Sequence, residues 1–483
     1  MEQKAGAQIS TRAFVQSLII LFVLMLAAGS LTQFVPAGSY ARTMQAGREV
    51  IDPQSFRYVE RPDYSPWRWL TAPIEVLWGP DAVTIITIII FLLMVGSTFA
   101  VLDKSGILQA AIGRIVQAFG GKKYVLLLVI SLFFMLLGAF FGIFEEVVPL
   151  VPLMIALAYL LGWDSLVGLG MSILATNMGF SAAITNPFTV GVAQKLAGLP
   201  LFSGAWLRVL IFIAIYAVLA VFLVSYARRV DRNPQSSPVF EQDRLERDKY
   251  RTLALDSLSA RQAQLGKATG WFAVFLVLIL VVLIAGPFIP AISSFSLPLV
   301  GVLFLIGGIG AGVMSGAGGR TVWKAVRDGM TGIAPSIPLI LMAASIKHIV
   351  AQGGSMDTIL HSASLAFSQT SPFTAVLMVY VLALLIEFFV ASGSAKAFLL
   401  MPILLPLSDL VGLTRQVTVT AYCFGDGFSN LAYPTNPVLL ICLGLTVVSY
   451  PQWLKWTAKL WLGVLAVTIV FLGIGVAIRF GPF

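Results

Sequence analysis

The sequence predicts an all-α polytopic membrane protein. Its plan is one of inverted repeats, with two opposed re-entrant hairpins and two broken transmembrane helices, about nine spans plus two hairpins. Three observations carry that expectation. Mean hydropathy is +0.92, with 58% hydrophobic and 11% charged residues, and many apolar runs reach the roughly 20 residues that cross about 30 Å of hydrocarbon. Two stretches also match without gaps at an offset of 250 residues: Thr185-Asn186-Pro187 falls on Thr435-Asn436-Pro437, Pro152 on Pro402, Leu157 on Leu407, Leu160 on Leu410 and Gly162 on Gly412. Finally, both copies set a polar, proline-containing break in apolar surroundings, the sequence sign of a secondary transporter whose site lies between two halves.

Taken in order, residues 1–35 hold the first span, Ala13 to Phe34. It is too long for a signal-peptide core and lacks a small-residue cleavage site, so it is expected to be retained, with the N-terminus cytoplasmic. Residues 36–80 form an external loop carrying Pro53, Pro62, Pro66 and Pro73, its basic residues balanced by acids. Residues 81–227 are the first repeat. It runs from a span (Ala82 to Val101) to an amphipathic surface helix, where Lys104, Arg114, Lys122 and Lys123 flank Ile107, Ile112 and Ile115. A hairpin over 124–161, a broken helix over 165–196 and a span (Trp206 to Tyr226) complete it.

Residues 228–267 hold nine basic residues against six acidic ones, as expected of a cytoplasmic linker. Residues 268–330 add two scaffold spans, Trp271 to Ile289 and Leu297 to Met314, and a cytoplasmic stretch with Arg320, Lys324 and Arg327. Residues 331–483 repeat the plan: a span (Ile333 to Val350), a surface helix (Ser355 to Ser368), a hairpin over 372–411, a broken helix over 417–446 and a last span (Trp456 to Ala477). Five crossings separate the starts of the two copies. An odd number inserts them upside down relative to each other.

Several function classes are excluded. The net charge of +9 sits in short segments between spans, a readout of membrane insertion and not of a nucleic-acid partner. Cys423 and Cys442 both lie in apolar sequence of the second copy, so no disulfide framework or cysteine metal site is indicated. The chain has no Walker-type phosphate loop, no His-Glu-x-x-His helix and no GxSxG elbow. It is expected to be neither an ATP-driven pump nor an enzyme, and to need no cofactor beyond a coupling ion.

The chemistry is expected where polar groups enter apolar sequence. In hydrocarbon a non-helical break is tolerated only when it is buried in protein or lines a water-filled cavity. Proline removes a donor and frees carbonyls upstream of it. Oxygens of Asn177, Thr185, Asn186, Asp426, Ser429, Thr435 and Asn436 are therefore the expected ligands of a sodium ion, with a proton as the alternative coupling ion. The hairpin tips supply a second constellation. Gly142 with Glu145 and Glu146 stands opposite Ser392, Gly393, Ser394 and Lys396, and the offset places Glu146 on Lys396. Lys396 is expected either to receive a substrate carboxylate or to neutralise Glu146. With Asn186, Asn430 and Asn436, these tip residues form the expected substrate site. Glu387 is read as a support of the second hairpin, and Lys347 and His348 as residues that cap or snorkel at a span end.

Phe34-Val35-Pro36-Ala37-Gly38-Ser39-Tyr40, Glu145-Glu146 with Pro149, Ser392-Gly393-Ser394 with Met401-Pro402, and Gly425-Asp426-Gly427-Phe428-Ser429-Asn430 with Pro434-Thr435 resemble the family of C4-dicarboxylate anaerobic carriers and basic amino-acid antiporters, within the ion-transporter superfamily. The similarity covers nearly the whole chain. It implies a scaffold domain, two opposed hairpins, two broken helices, a homodimer, and elevator movement coupled to sodium or protons. Lys396 departs from the family pattern, where an uncharged residue such as Gln is expected, and Asn436-Pro437 replaces a smaller pair.

The expected function is thus an ion-coupled secondary transporter of the inner membrane, moving a small carboxylate-bearing metabolite such as a dicarboxylate or amino acid. An exchanger of basic amino acids and a channel are the alternatives. The span parity is directly testable. Single cysteines on a Cys-free background should be labelled from the cytoplasm at Ser236 and from outside at Gly47, and labelling of both from one side would overturn the parity.

Overall fold

The computed structural model describes residues 11–45, 48–52, 54–108, 110, 121–244, 247, 262–285, 289, 295–365 and 370–481. Gly47, Pro53, Ser368 and the core of the first expected surface helix, with Ile112, Arg114 and Ile115, lie outside these residues, as does 248–261 of the linker.

In the first half, α1 (Thr11–Phe34) leads into a loop that contains strands. β1 (Gly38–Ser39) pairs antiparallel with β4 (Arg57–Tyr58), Gly38 opposite Tyr58, and β2 (Arg42–Gln45) with β3 (Arg48–Ile51), Arg42 opposite Ile51. Strands this short leave no readable alternation in the sequence. Next come α2 (Arg68–Glu75) and α3 (Ala82–Lys104). α4 (Lys123–Leu136) runs on through a π-helical turn (Leu137–Phe141), and a 3-10 turn (Glu145–Leu150) opens α5 (Val151–Leu160). α6 (Ser165–Leu169), a π turn (Gly170–Leu174) and α7 (Ala175–Ala182) precede the first break. A π turn (Pro187–Gly191), α8 (Val192–Leu196) and α9 (Ala205–Arg232) follow it.

The second half holds α10 (Gln262–Ala285), α11 (Ser296–Met314), α12 (Gly318–Ile333), α13 (Ser336–Gln352) and α14 (Met356–Leu365). α15 (Pro372–Glu387), α16 (Gly393–Leu410) and α17 (Arg415–Gly427) come next. A 3-10 turn (Phe428–Leu431), α18 (Pro437–Gly444) and α19 (Tyr450–Ala477) end the chain.

Among the described residues, 9 helical segments are long and apolar enough to span a bilayer, as in a multi-pass membrane protein. They differ from the nine spans expected. Lys123–Phe141 and Gly393–Leu410, read from sequence as hairpin arms, qualify by length, whereas Pro372–Glu387 falls just short; α1, the first expected span, is 24 residues long. The segment around the second break is split into α17 and α18, neither long enough alone.

The 250-residue match reappears as equal turn chemistry. Gly162 and Gly412 both adopt positive φ, +87° and +73°, where a side chain would be strained. Trp163 N donates to Ala158 O at 2.8 Å and Leu413 N to Ser408 O at 2.9 Å, the wrap-back bond that closes a helix C-terminus. Two residues after each glycine the next helix is capped, by the Asp164 carboxylate on Val167 N and by the Thr414 hydroxyl on Val417 N.

Packing sorts the helices into two groups. α3 packs against α11 and α12, α10 against α11, and α1 against α13. The other group gathers α4 to α9 with α15 to α19, and at its heart lies the first broken helix. The most apolar stretch of Ser165–Leu196 is 100% buried, against 22% for Leu265–Val282, so the break is a central element and the latter a peripheral one.

Polar ties collect at two ends of the molecule. At one, Asp357 of α14 accepts from Tyr40 N at 2.9 Å and from Arg42 Nη2 at 2.8 Å, Phe56 stacks on His361, and Lys347 pairs with Asp81 at 2.7 Å. At the other, Lys104 pairs with Asp328, and Lys123 with Asp231 at 2.5 Å. α3 therefore runs antiparallel to the α12–α13 segment, since its start meets the far end of α13 and its end meets α12.

The start of the linker is docked at the Lys123–Asp231 end. Asp243 is fully buried and accepts from Tyr159 Oη at 2.8 Å, Ser165 N at 2.7 Å and Ser165 Oγ at 2.9 Å. Burial, then the neighbouring charge of Asp164, pushes its carboxyl up to about 7. The docked state therefore holds a proton that the detached linker, with an ordinary carboxyl near 4, releases. Docking should be strongest at acid pH and weaken as pH rises through about 7. Protection of the amides around Val239, measured relative to intrinsic exchange at each pH, should fall between about pH 4 and about pH 7, and Asp243→Asn should flatten that dependence; a flat wild-type profile would refute it.

Candidate functional site

The first break is built by an asparagine cap. α7 ends at Ala183, which takes left-handed geometry (φ 47°), rare and costly for a residue with a Cβ. Thr185 then ties the chain to the first hairpin. Its N donates to Ala139 O at 3.1 Å and its hydroxyl to Phe140 O at 2.9 Å. Asn186 Oδ1 accepts from Phe188 N at 2.9 Å and Thr189 N at 3.3 Å, while its amide donates to Phe180 O at 3.2 Å. Pro187 occupies the first helical position after this cap. There its missing N–H costs nothing and its fixed φ suits the helix. The sequence reads these prolines as breaks that free carbonyls upstream; in the structure each also begins a new helix.

The second break repeats the device. Asn436 Oδ1 accepts from Val438 N at 3.0 Å, its amide donates to Asn430 Oδ1 at 3.0 Å, and Pro437 starts α18. Ser392 is likewise the N-cap of α16, its hydroxyl accepting from Ala395 N at 3.5 Å. Three of the expected binding residues, Asn186, Asn436 and Ser392, thus spend an oxygen on helix starts. Ser429 donates to Gly425 O of its own helix at 2.9 Å.

Glycines bring these pieces together. A Cβ on Gly179 would stand 1.8 Å from Met135 O, and one on Gly425 2.6 Å from Tyr380 O, so the first arm of each hairpin packs backbone-close on the following broken helix. Gly142, at the first hairpin tip with φ +67°, leaves 2.2 Å between its Cβ position and Asn186 Oδ1. Gly427 abuts Ser181 across the two breaks. Gly393, at the second tip, leaves 2.9 Å to both Asp426 Oδ2 and Thr189 Cγ2. The tip of the second hairpin therefore meets both broken helices.

Lys396 lies one turn behind that tip and is 0% exposed. Its ammonium stands against Glu387 of α15, and 2.8 Å from Asp426 Oδ1 of α17. Glu387 and Asp426 are each 1% exposed. The pairing with Glu146 that the offset suggests is not made. Glu145 is exposed and Glu146 half-buried at the first tip, where Glu146 Oε2 accepts from Phe144 N at 3.3 Å. Ser394 is half-buried.

Buried polar atoms without a partner remain nearby among the described residues: both amide atoms of Asn177 and the hydroxyls of Thr189 and Thr435. Such atoms call for a bound water, ion or ligand. Sequence reasoning missed Arg208, in the first turn of α9. It is 1% exposed and donates to Ile184 O at 3.1 Å and Phe202 O at 3.0 Å, bracing the first break. An arginine inside an otherwise apolar span was the signal available.

This arrangement of capped breaks and a buried charge cluster can be set beside known proteins. The model of the C4-dicarboxylate anaerobic carrier family matches residues 14–477. The chain belongs to that family. A relative in Escherichia coli named "Putative basic amino acid antiporter YfcC" is 32% identical over 95% of this chain and 96% of its own length. An uncharacterized protein of Haemophilus influenzae is 24% identical over 77% of this chain and 71% of its own. Two solved transporters align over most of the chain at 17% identity. They are the Alcanivorax borkumensis YdaH transporter (TM-score 0.40; 96% of this chain, 97% of that one) and Neisseria gonorrhoeae MtrF (TM-score 0.43; 96% and 95%). Membership in this carrier family makes the chain a membrane transporter.

The caps lead to a stability test. Asn186→Ala and Asn436→Ala should each cost about 0.5–2 kcal/mol through the lost cap, whereas Ala183→Gly should gain about 1 kcal/mol by relieving left-handed strain. Thermal melts in detergent check both signs, and unchanged melting of the asparagine variants would remove the capping role.

Proposed function

We propose that this carrier is a proton-coupled secondary transporter that exchanges amino acids, with basic amino acids as the best fit. The observation that carries the reading is Lys396 sealed between Glu387 and Asp426. An ammonium facing two carboxylates is already more than neutralised and offers no net positive charge to a substrate carboxylate, so its role is internal. Fully ionised, the group bears one net negative charge. Leaving that charge unpaired away from water is costly, so a further cation completes the site, and a proton meets the need within the group itself. Glu145 and Glu146 at the first tip then serve the substrate's cationic groups. The capped starts of α16 and of the helix after Pro187, with the partial positive charge of helix N-termini, serve its carboxylate.

The two halves are inserted in opposite directions in this reading, which the antiparallel run of α3 and α12–α13 supports. The arms around Gly142 and Ser392 are re-entrant hairpins. They move together with the broken helices, and with α9 and α19 packed on them, against the group around α3, in an elevator motion. The protein works as a homodimer in the inner membrane, its N-terminus cytoplasmic.

Proteoliposomes test the function. We expect saturable counterflow of arginine or lysine that follows a pH gradient and ignores sodium. Sodium-dependent uptake insensitive to pH would reject the proton, succinate exchange without amino-acid exchange would reject the substrate class, and uncoupled multi-ion conductance would make it a channel. The charge cluster has its own test. Lys396→Gln should cost about 3–5 kcal/mol, because it strands buried carboxylates, and Lys396→Gln with Glu387→Gln should recover most of it. Additive losses in melting would sink the internal pairing.

A further inference from the structure

A cavity of about 600 Å³ opens between α9 and α19. Its lining is chemically two-sided. Arg229, Lys455 and Lys459 supply three cations, whereas Phe222 and Trp456 supply apolar surface. Among the described residues no acidic one lines it, and none of the three cations is ion-paired. Lys455 and Lys459 are one turn apart on α19, so both project from one face toward Arg229 on α9.

Trp456 adds an independent observation. It is 8% exposed, lines the cavity, and its indole N–H has no hydrogen-bond partner among the described residues. An orphan buried donor beside three uncompensated cations calls for an anionic acceptor.

The surroundings say what carries that anion. Along α9, Leu210, Ile213 and Val221 form an exposed apolar stripe, 48%, 57% and 68% exposed, that ends at Ser225 and Arg229. Along α19 the exposed Leu465 and Leu462 lie on the same face as Lys459 and Lys455. On both helices the stripe is the kind of surface that faces acyl chains, and the cations stand at its end, where a bilayer changes to headgroups. Gln452 at the head of α19 donates to Pro238 O of the linker at 2.9 Å, which places the cavity on the linker side.

We propose that this cavity is a binding site for an anionic phospholipid of the linker-side leaflet. Its phosphate sits among Arg229, Lys455, Lys459 and the Trp456 N–H, and its chains lie along the two apolar stripes. The site is independent of the transport reading, since none of its residues belongs to the capped breaks or the Lys396 cluster. A topology-only explanation, in which the cations merely mark the inside, accounts for their sign. It accounts neither for the cavity nor for the orphan indole.

Native mass spectrometry of the purified protein, titrated with phosphatidylglycerol, cardiolipin or phosphatidylcholine, tests this. The wild type should retain the two anionic lipids and shed phosphatidylcholine. The triple variant Arg229→Gln, Lys455→Gln, Lys459→Gln should bind them about a hundredfold more weakly, from the roughly fivefold that each such charge contributes near a membrane surface. Trp456→Phe, which keeps the ring and loses the donor, should bind severalfold more weakly. Arg229→Lys should bind as the wild type does, which separates loss of charge from loss of fold. Equal retention by the triple variant, or equal retention of phosphatidylcholine, overturns the proposal. Displacement of lipid by millimolar inorganic phosphate would assign the site to a free anion and overturn it too.

Discussion

Nothing inside a bilayer replaces water as a hydrogen-bond partner, and the centre of this protein is arranged around that constraint. A helix interrupted at membrane depth exposes donors at the new start and acceptors at the old end. Here an asparagine closes each new start on its own backbone, and a proline follows where one donor is absent by chemistry. Charge obeys the same rule. Lys396 is completely enclosed, and two carboxylates from two other helices enclose it with their own charge. Remove the lysine and the carboxylates repel. The hairpin tip, the arm α15 and the second broken helix are held in register by one ammonium.

Much of this plan was legible in the sequence. The offset of 250 found the paired glycines that end α5 and α16, because a left-handed turn needs the same residue wherever it recurs. It found both breaks, because Thr-Asn-Pro is a compact message. It did not reveal what the asparagines do. An oxygen that caps a helix and an oxygen that binds an ion look the same in a string of letters. The lysine's partners were hidden for another reason. The offset compares equivalent positions in two halves, yet Lys396 pairs within its own half, with Glu387 only nine residues before it and Asp426 thirty after it. Arg208 was obscured by position, since a cation in the first turn of a span reads as an interfacial anchor. The short strands of the loop before α2 were below the reach of periodicity.

The glycine contacts bring the arms before Gly142 and Ser392 backbone-close to the two broken helices. Where Gly179 lies against Met135 and Gly425 against Tyr380, the interface is main chain on main chain. Such seams resist any added methyl group and bring helices close enough for dispersion along their whole contact. The helices of the α3 group meet partly through larger side chains, as Gly301 meets Phe91 and Gly307 meets Phe275.

The loop after α1 is fastened to a residue that does not exist when the loop is made. Tyr40 and Arg42 anchor on Asp357, a separation of 317 residues for the backbone bond. At about 5–20 residues per second, synthesis takes roughly 15–60 s to supply that partner. During the wait the first span and its loop are inserted without their final contacts, and the ribosome, not the bilayer, sets the earliest moment at which this end of the protein can close.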